Sequence, residues 1–412
     1  MKQPTNEQTY QHIRMKILVI NCGSSSIKYK LYEMDDKSVL AAGGIEKIGL
    51  EGAFLKAKLP DGTSKVVMAD VPTHTEGIKL MFDALLDKEY GAISSLDEIG
   101  AAGHRIVHGG VFTKSLVVTP EILHEWEKYM DLAPLHSPAH LKGYEAVRKL
   151  LPELPQVFVF DTAFHQTMPP KAYMYALPYK YYEQYHIRRY GAHGTSHRYV
   201  TGRVAKFLGV DAADKRIITC HIGNGASMSA VDHGRCVDTS MGLTPLEGLM
   251  MGTRTGDIDS SAILYIMKKE GQTPDEASDL LNKESGLKGF TGISSDLREI
   301  EQAIREGNDR AKLGMEMYEY RIKKYIGAYA AAMGGVDIIV FTAGVGEHQW
   351  DVRAGALEGL DFLGIKLDAE KNKKNFGEEE VISAPDSAVT VAVIPTDEEL
   401  LIASDTLELV TK

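Results

Sequence analysis

The sequence predicts an α/β protein of two domains, and three observations carry that prediction. Apolar strands alternate with amphipathic helices along the chain. Both halves open on a hairpin with a small, polar tip, NCGSSS from Asn21 and HIGNGAS from His221. At 412 residues the chain exceeds one ordinary core. The two tips match only in pattern, so they point weakly to an internal duplication.

In chain order, residues 1–14 are polar, lack the apolar run of a signal peptide and read as an extension. Lys16–Asn21 and Ser26–Tyr32 form the first hairpin. Within Thr75–Lys88, Ile78, Met81, Phe82 and Leu85 share a helical face. Thr119 and Ser137 each precede a proline and predict helix N-caps. Val157–Phe160 is a strand ending at Asp161. The second half repeats the start with Arg216–His221, the turn Gly223–Gly225 and Ala226–Val231. A helix within Arg310–Met333, the strand Val336–Thr342 and the Gly-rich turn Ala343–Glu347 follow. The strand Val389–Ile394 then leads to a helix capped by Thr396, with Glu399 three positions on.

Composition excludes several classes. A net charge of −11 argues against nucleic acid or an anionic membrane as partner. The longest apolar stretch, Tyr325–Gly346, is broken by Gly334, Gly335 and Asp337 and is no membrane span. Three cysteines with no CxxC pair predict neither a disulfide framework nor structural zinc, and suit a reducing cytoplasm.

Neither a Walker loop nor a dinucleotide fingerprint is present. Instead, small-residue turns follow apolar strands at Asn21–Ser26, Gly223–Ser227 and Gly344–Gly346. Their backbone N–H groups can cradle phosphate, with Lys28 close to the first. One such turn is ordinary hairpin chemistry; three predict a nucleotide cleft. Eleven of 14 histidines fall between His104 and His233. His193 and His197 have i,i+4 metal-ligand spacing, yet the intervening residues carry no carboxylate, which favours hydrogen bonding to phosphoryl oxygens. Arg105 and Arg254 lie among small residues, in GHRIVHGG and MGTRTGD, where a guanidinium can meet an anion. Asp161 suits a Mg²⁺-associated carboxylate or an N-cap. Glu398 alone reads equally as a complement to its helix dipole.

From Met15 to the C-terminus the chain resembles the acetokinase family, of the superfamily that includes sugar kinases and actin. The resemblance rests on VINCGSSSIK, GHRIVHGG, LAPLHSPAH, VFDTAFH, YGAHGTSH, CHIGNGAS, DTSMGLTPLEGLMMGTRTGDID, GISSDLREI, FTAGVGE and PTDEEL. It implies two actin-like (RNase H-like) domains with duplicated βββαβαβα cores around an interdomain nucleotide cleft. Their expected limits are 15–163 with 397–412, and 164–396. It further implies reversible phosphoryl transfer from ATP to acetate, Mg²⁺ or Mn²⁺ as cofactor, and a homodimer. By the same match, Asn21 and Glu398 contact the metal, with Asp161 nearby. Ser24, Ser26, Lys28, His221, Ile222, Gly223, Asn224 and Gly225 line the phosphate path. Asp296, Leu297, Arg298 and the loop Gly344, Val345, Gly346, Glu347 and His348 approach the nucleoside. Arg105 holds the substrate carboxylate, Arg254 and His193 stabilise the transferring phosphoryl group, and His136 supports the site. Val107, Leu135, Ala192 and Pro245 form the acyl pocket.

Two departures stand out. Ala192 replaces a Phe usual in the family, which predicts a wider acyl pocket and tolerance of propionate or butyrate unless Leu243 or Met250 fills the space. His348 stands where the family usually has Asn, beside the nucleotide base. A propionate or butyrate kinase is therefore the nearest rival. A sugar kinase would need a positioned base for its hydroxyl acceptor. An actin-like ATPase that acts by binding partners would leave both arginine motifs without a purpose.

Overall fold

A computed structural model describes residues 15–59, 61–134 and 136–412. Its contacts divide the chain into two compact units, one running to Phe160 and regaining Glu399–Lys412, the other comprising Asp161–Glu398. The limits expected after residue 163 and before residue 397 thus shift slightly, and Asp161 and Glu398 fall in the second unit. The expected extension 1–14 and the pocket residue Leu135 lie outside the described residues.

The first unit holds β1 (Lys16–Cys22), β2 (Ser26–Glu33), β3 (Ser38–Glu46), β4 (Phe54–Lys58), β5 (Ser64–Met68), β6 (Ile99–Ile106), β7 (Leu116–Val117) and β8 (Gln156–Phe160). They form one sheet in the order β5-β4-β3-β2-β1-β6-β8-β7. Strands β1 to β3 make an antiparallel meander, and β1, β6 and β8 run parallel. Ile17–Ile20 are buried without alternation, as a central strand covered on both faces requires.

The second unit holds β9 (Arg216–Ile222), β10 (Ala226–Asp232), β11 (Arg235–Thr239), β12 (Ile338–Thr342), β13 (Glu380–Val381) and β14 (Thr390–Val393), in the order β11-β10-β9-β12-β14-β13. Again an antiparallel meander comes first, and its first strand pairs parallel with a later one. The repeated order gives the hairpin echo in the sequence a topological meaning.

Each sheet is covered by a helix distant in sequence. Ile402 and Ala403 of the helix Glu398–Val410 join Ile17, Val19, Ala101, Val157 and Val159. Val200 and Val204 of the helix Gly194–Leu208 join Ile217, Val231, Ile338, Val340 and Ala392. The first of these packings explains why the C-terminal segment belongs to the first unit.

Four local expectations change. Ser137 is the first residue of its helix and His136 takes the cap position, because Ser137 N and His136 N both bond Ala133 O, running the preceding turn into the helix. The last helix begins at Glu398, while the Thr396 hydroxyl pairs with Ser196 at 2.8 Å. Strand β12 starts at Ile338, because Asp337 is engaged by the Arg216 guanidinium. Ala343–His348 is a short helix where a turn was expected, closed by Ala343 N donating to Glu347 Oε1 at 2.7 Å.

Glu319, on the helix Asp309–Met333, lies against Gly355 of the helix Trp350–Leu357, where a Cβ would come within 2.2 Å of its carboxylate. Burial first, then Asp351, Glu316 and Glu358, push its pKa up to about 7. A raised carboxyl contributes stability below its unfolded value, about 4.3, and loses it as pH rises through the folded value. Glu319→Gln should therefore raise Tm at pH 8 by about 2–4 °C, roughly 1 kcal/mol after allowance for solvent screening. At pH 4 the gain should vanish in the same calorimetric scan.

Candidate active site

In the first unit, β1 and β2 set Asn21 directly opposite Lys28, so both project from one face of the sheet. Val19 pairs with Gly103, and Arg105, two residues on, therefore shares that face with Asn21. The rest of this face lies under the helix Glu398–Val410, whose Thr406 and Ile402 would clash with any Cβ at Gly103. The hairpin tip is closed by Gly23 N donating to Ser26 O at 2.8 Å. His74 Nε2 donates to Gly23 O at 2.8 Å, fixing the turn from outside. Ser24 is exposed at this tip and Ser26 begins β2.

At the end of β6, Val107 N donates to His140 Nε2 at 3.3 Å, and His136 stacks on the His140 ring at 6.3 Å. The glycines after Arg105 serve packing: a Cβ at Gly109 would meet the Phe160 ring, and one at Gly110 the Tyr129 ring. They let the chain pass beneath two aromatics, a role different from the guanidinium access read from sequence.

In the second unit, YGAHGTSH sets the His193 side chain through a run of close backbone approaches. His193 sits at the head of the helix Gly194–Leu208 in the left-handed conformation (φ 57°). At Gly194 any Cβ would lie 1.9 Å from Asp161 O, so only glycine fits. Thr195 Oγ1 donates to the buried Asp161 carboxylate at 2.6 Å. The His193 ring stacks on His221, centroids 4.1 Å apart.

Ser227 Oγ stands between His193 Nδ1 at 2.9 Å and His197 Nε2 at 2.7 Å. His197 Nδ1 meets Thr219 Oγ1 at 2.7 Å. Both nitrogens of His197 are thus spent on hydroxyls, and burial, then His165 and His221, hold its pKa well below the imidazole range. The i,i+4 histidine pair is a hydrogen-bonded network and not a metal site. Among the described residues no three His, Cys, Asp or Glu side chains could hold a metal ion.

Arg254 is half-buried, and its Nη1 donates to Pro245 O at 3.1 Å. Among the described residues no carboxylate neutralises it, and burial lowers its pKa from the ordinary guanidinium value. Its Nη1 lies 3.6 Å from the position of a Cβ on Gly225, and His193 Nε2 lies 3.7 Å from the same point. Two donors therefore converge over the CHIGNGAS turn on a space that Gly225 leaves open. A buried cation without a counter-ion is costly; an anion bound in that space relieves it.

A separate cavity of about 580 Å³ in this unit is lined by Gly223, Asn224, Asp296, Leu297, Arg298, Gly344, Val345 and His348, with Gly252, Tyr318 and Gln349 among its other walls. Asp296 caps the helix Leu297–Arg305 and pairs with Arg298, and that pairing holds its carboxyl down at about 2. His221, within β9, is buried and bonded to Ser196, Gly346 is buried against Cys220 O of the same strand, and neither lines this cavity. Ile222 is wholly buried in the core. Glu347 is not among the lining residues of this cavity; its Oε1 accepts from Ala343 N, Thr342 Oγ1 and Thr396 N and so ties the loop together.

Sequence reasoning missed Arg353. Fully buried, it binds Gly346 O, Glu347 O, Asn372 and Asn375 O, and so anchors the loop. Nothing local in the sequence distinguishes it from a surface arginine. Ala192 is 5% exposed, in the apolar cluster with Met241, Leu249 and Met250, so no open wall stands where the family's ring is missing.

A sequence profile described as the acetokinase family matches residues 16–404. The acetate kinase of Phocaeicola vulgatus is 63% identical over 399 residues, covering 97% of this chain and 100% of that protein. The acetate kinase of Bacteroides thetaiotaomicron is 61% identical over the same shares. Among solved structures, acetate kinase from Porphyromonas gingivalis has a TM-score of 0.94 at 54% identity, covering 96% of this chain and 100% of that one. A propionate kinase from Francisella tularensis has a TM-score of 0.89 at 40% identity over the same shares.

Proposed function

The chain belongs to the acetokinase family, and on that premise we propose how its residues carry out reversible phosphoryl transfer from ATP to acetate. The observation that carries the proposal is Arg254, half-buried without a carboxylate and facing His193 across Gly225. A carboxylate acceptor is already ionised at neutral pH, so no general base is required. An acetate oxygen attacks the γ-phosphorus in line, the bond to the bridging oxygen of ADP breaks, and no proton moves. The site must align the partners and neutralise charge on the equatorial oxygens. Arg254 and His193 serve those oxygens, Lys28 and the turns at Ser24–Ser26 and Gly223–Gly225 hold the phosphate chain, and Arg105 orients the acetate.

The donor set suits Mg²⁺, which prefers oxygen ligands and keeps most of its water. Asn21 and Glu398 would hold it with Asp161 nearby, and the ion would supply further neutralisation of the phosphate charge; Mn²⁺ would fit the same donors. Exposed Leu313, Met317 and Tyr320 at helical spacing on Asp309–Met333 support pairing of two copies. Three free, buried cysteines suit a reducing cytoplasm.

Acetate is favoured over longer acids by the relatives and by the buried setting of Ala192. Trapping the acyl phosphate as a hydroxamate tests the reading. Product should require both ATP and acid, with kcat/KM highest for acetate and falling by about 10-fold or more for propionate. ATP hydrolysis indifferent to any carboxylic acid would overturn it.

A further inference from the structure

His348 lines the cavity that also exposes Asp296, Leu297, Arg298, Gly344 and Val345. Its Nδ1 lies 2.8 Å from Phe376 O. A carbonyl only accepts, so Nδ1 carries a proton, and in that tautomer Nε2 is presented as a lone-pair acceptor. Among the described residues Nε2 has no partner. A Cβ at Gly377 would lie 2.5 Å from His348 Cε1, and Gly377 has φ +104°. Phe376 therefore fixes the tautomer, and the glycine beside it leaves room for the ring.

We infer that His348 selects the purine of the phosphoryl donor, accepting a hydrogen bond at Nε2 from the 6-amino group of adenine and disfavouring the 6-carbonyl of guanine. This rests on the reading of the cavity as the nucleoside site. An amino group completes the pair, whereas a carbonyl sets two lone pairs face to face. The family's usual asparagine has both a donor and an acceptor on one amide and can rotate to serve either base. The histidine, pinned through Nδ1, cannot exchange its roles without losing the Phe376 bond. One unmatched polar contact in a site built to bond its ligand changes discrimination by more than an apolar mismatch does.

The test is the ratio of kcat/KM for ATP over GTP, with acetate saturating and product trapped as hydroxamate. The parent protein should prefer ATP by about 10–100-fold, and His348→Asn should bring the ratio below about 3. Gly377→Ala should lower the ratio as well, by displacing the ring without touching the residue. Purine riboside triphosphate, which lacks a 6-substituent, should fall between ATP and GTP with the parent protein. A parent ratio near one, or a ratio unchanged in His348→Asn, overturns the inference while acetate-dependent turnover still upholds the reaction. No acetate-dependent turnover with any nucleotide would instead overturn the reading beneath it.

Discussion

Arg254→Ala should lose on the order of 10³-fold in kcat while its Tm stays within about 2 °C of the parent. Most half-buried arginines pair with a carboxylate, and truncating one leaves a buried charge behind. Among the described residues Arg254 bonds only the Pro245 carbonyl and the Met251 thioether. Its removal strands no opposite charge, and desolvation already weighs against its charged form. Activity and stability should therefore separate cleanly. The same loss should hold for ADP plus acetyl phosphate, since both directions share one transition state. Partial recovery with added guanidinium would support a role in charge neutralisation. Near-normal turnover in a folded variant would remove Arg254 from the mechanism.

Gly225→Ala should fold and lose on the order of 10²-fold or more in kcat/KM. The added methyl meets Arg254 Nη1 and His193 at 3.6–3.7 Å, which is ordinary contact, so the protein tolerates it. It occupies the space where the two donors converge, so a phosphoryl group cannot. Gly202→Ala, on the helix Gly194–Leu208 with open space around its Cβ, is the matched control. It should keep full activity and gain about 0.4–1 kcal/mol of stability. Full activity in Gly225→Ala would place the transferring group elsewhere.

Arg254 was legible because its motif is distinctive, and Gly225 because a small turn follows an apolar strand. Their convergence was not legible, since 29 residues separate them and no local spacing brings them together. The same holds for Ser227, whose hydroxyl links His193 and His197. From sequence, that histidine pair had metal spacing but no carboxylate, and hydrogen bonding was the reading; its partners, the hydroxyls of Thr219 and Ser227 on neighbouring strands of one sheet, were not legible. Glu347 stands in a conspicuous Gly-rich loop, which suggested nucleotide contact; that three donors, from its own loop and from Thr396, meet at its Oε1 was not legible in the sequence.

By itself the sequence determined the α/β class, the two-part organisation and the ordered motifs that place the chain in its family. Those features depend on local periodicity and on residue types at short spacing, which the chain displays directly. Tertiary structure decided what each motif residue does. Sheet register set Asn21, Lys28 and Arg105 on one face, and close backbone approach made Gly194 obligatory. It also left Arg254 without a carboxylate and fixed the proton of His348 through Phe376. The physical reason is that hydrogen bonding and burial depend on neighbours in space, and folding brings those neighbours from distant parts of the chain.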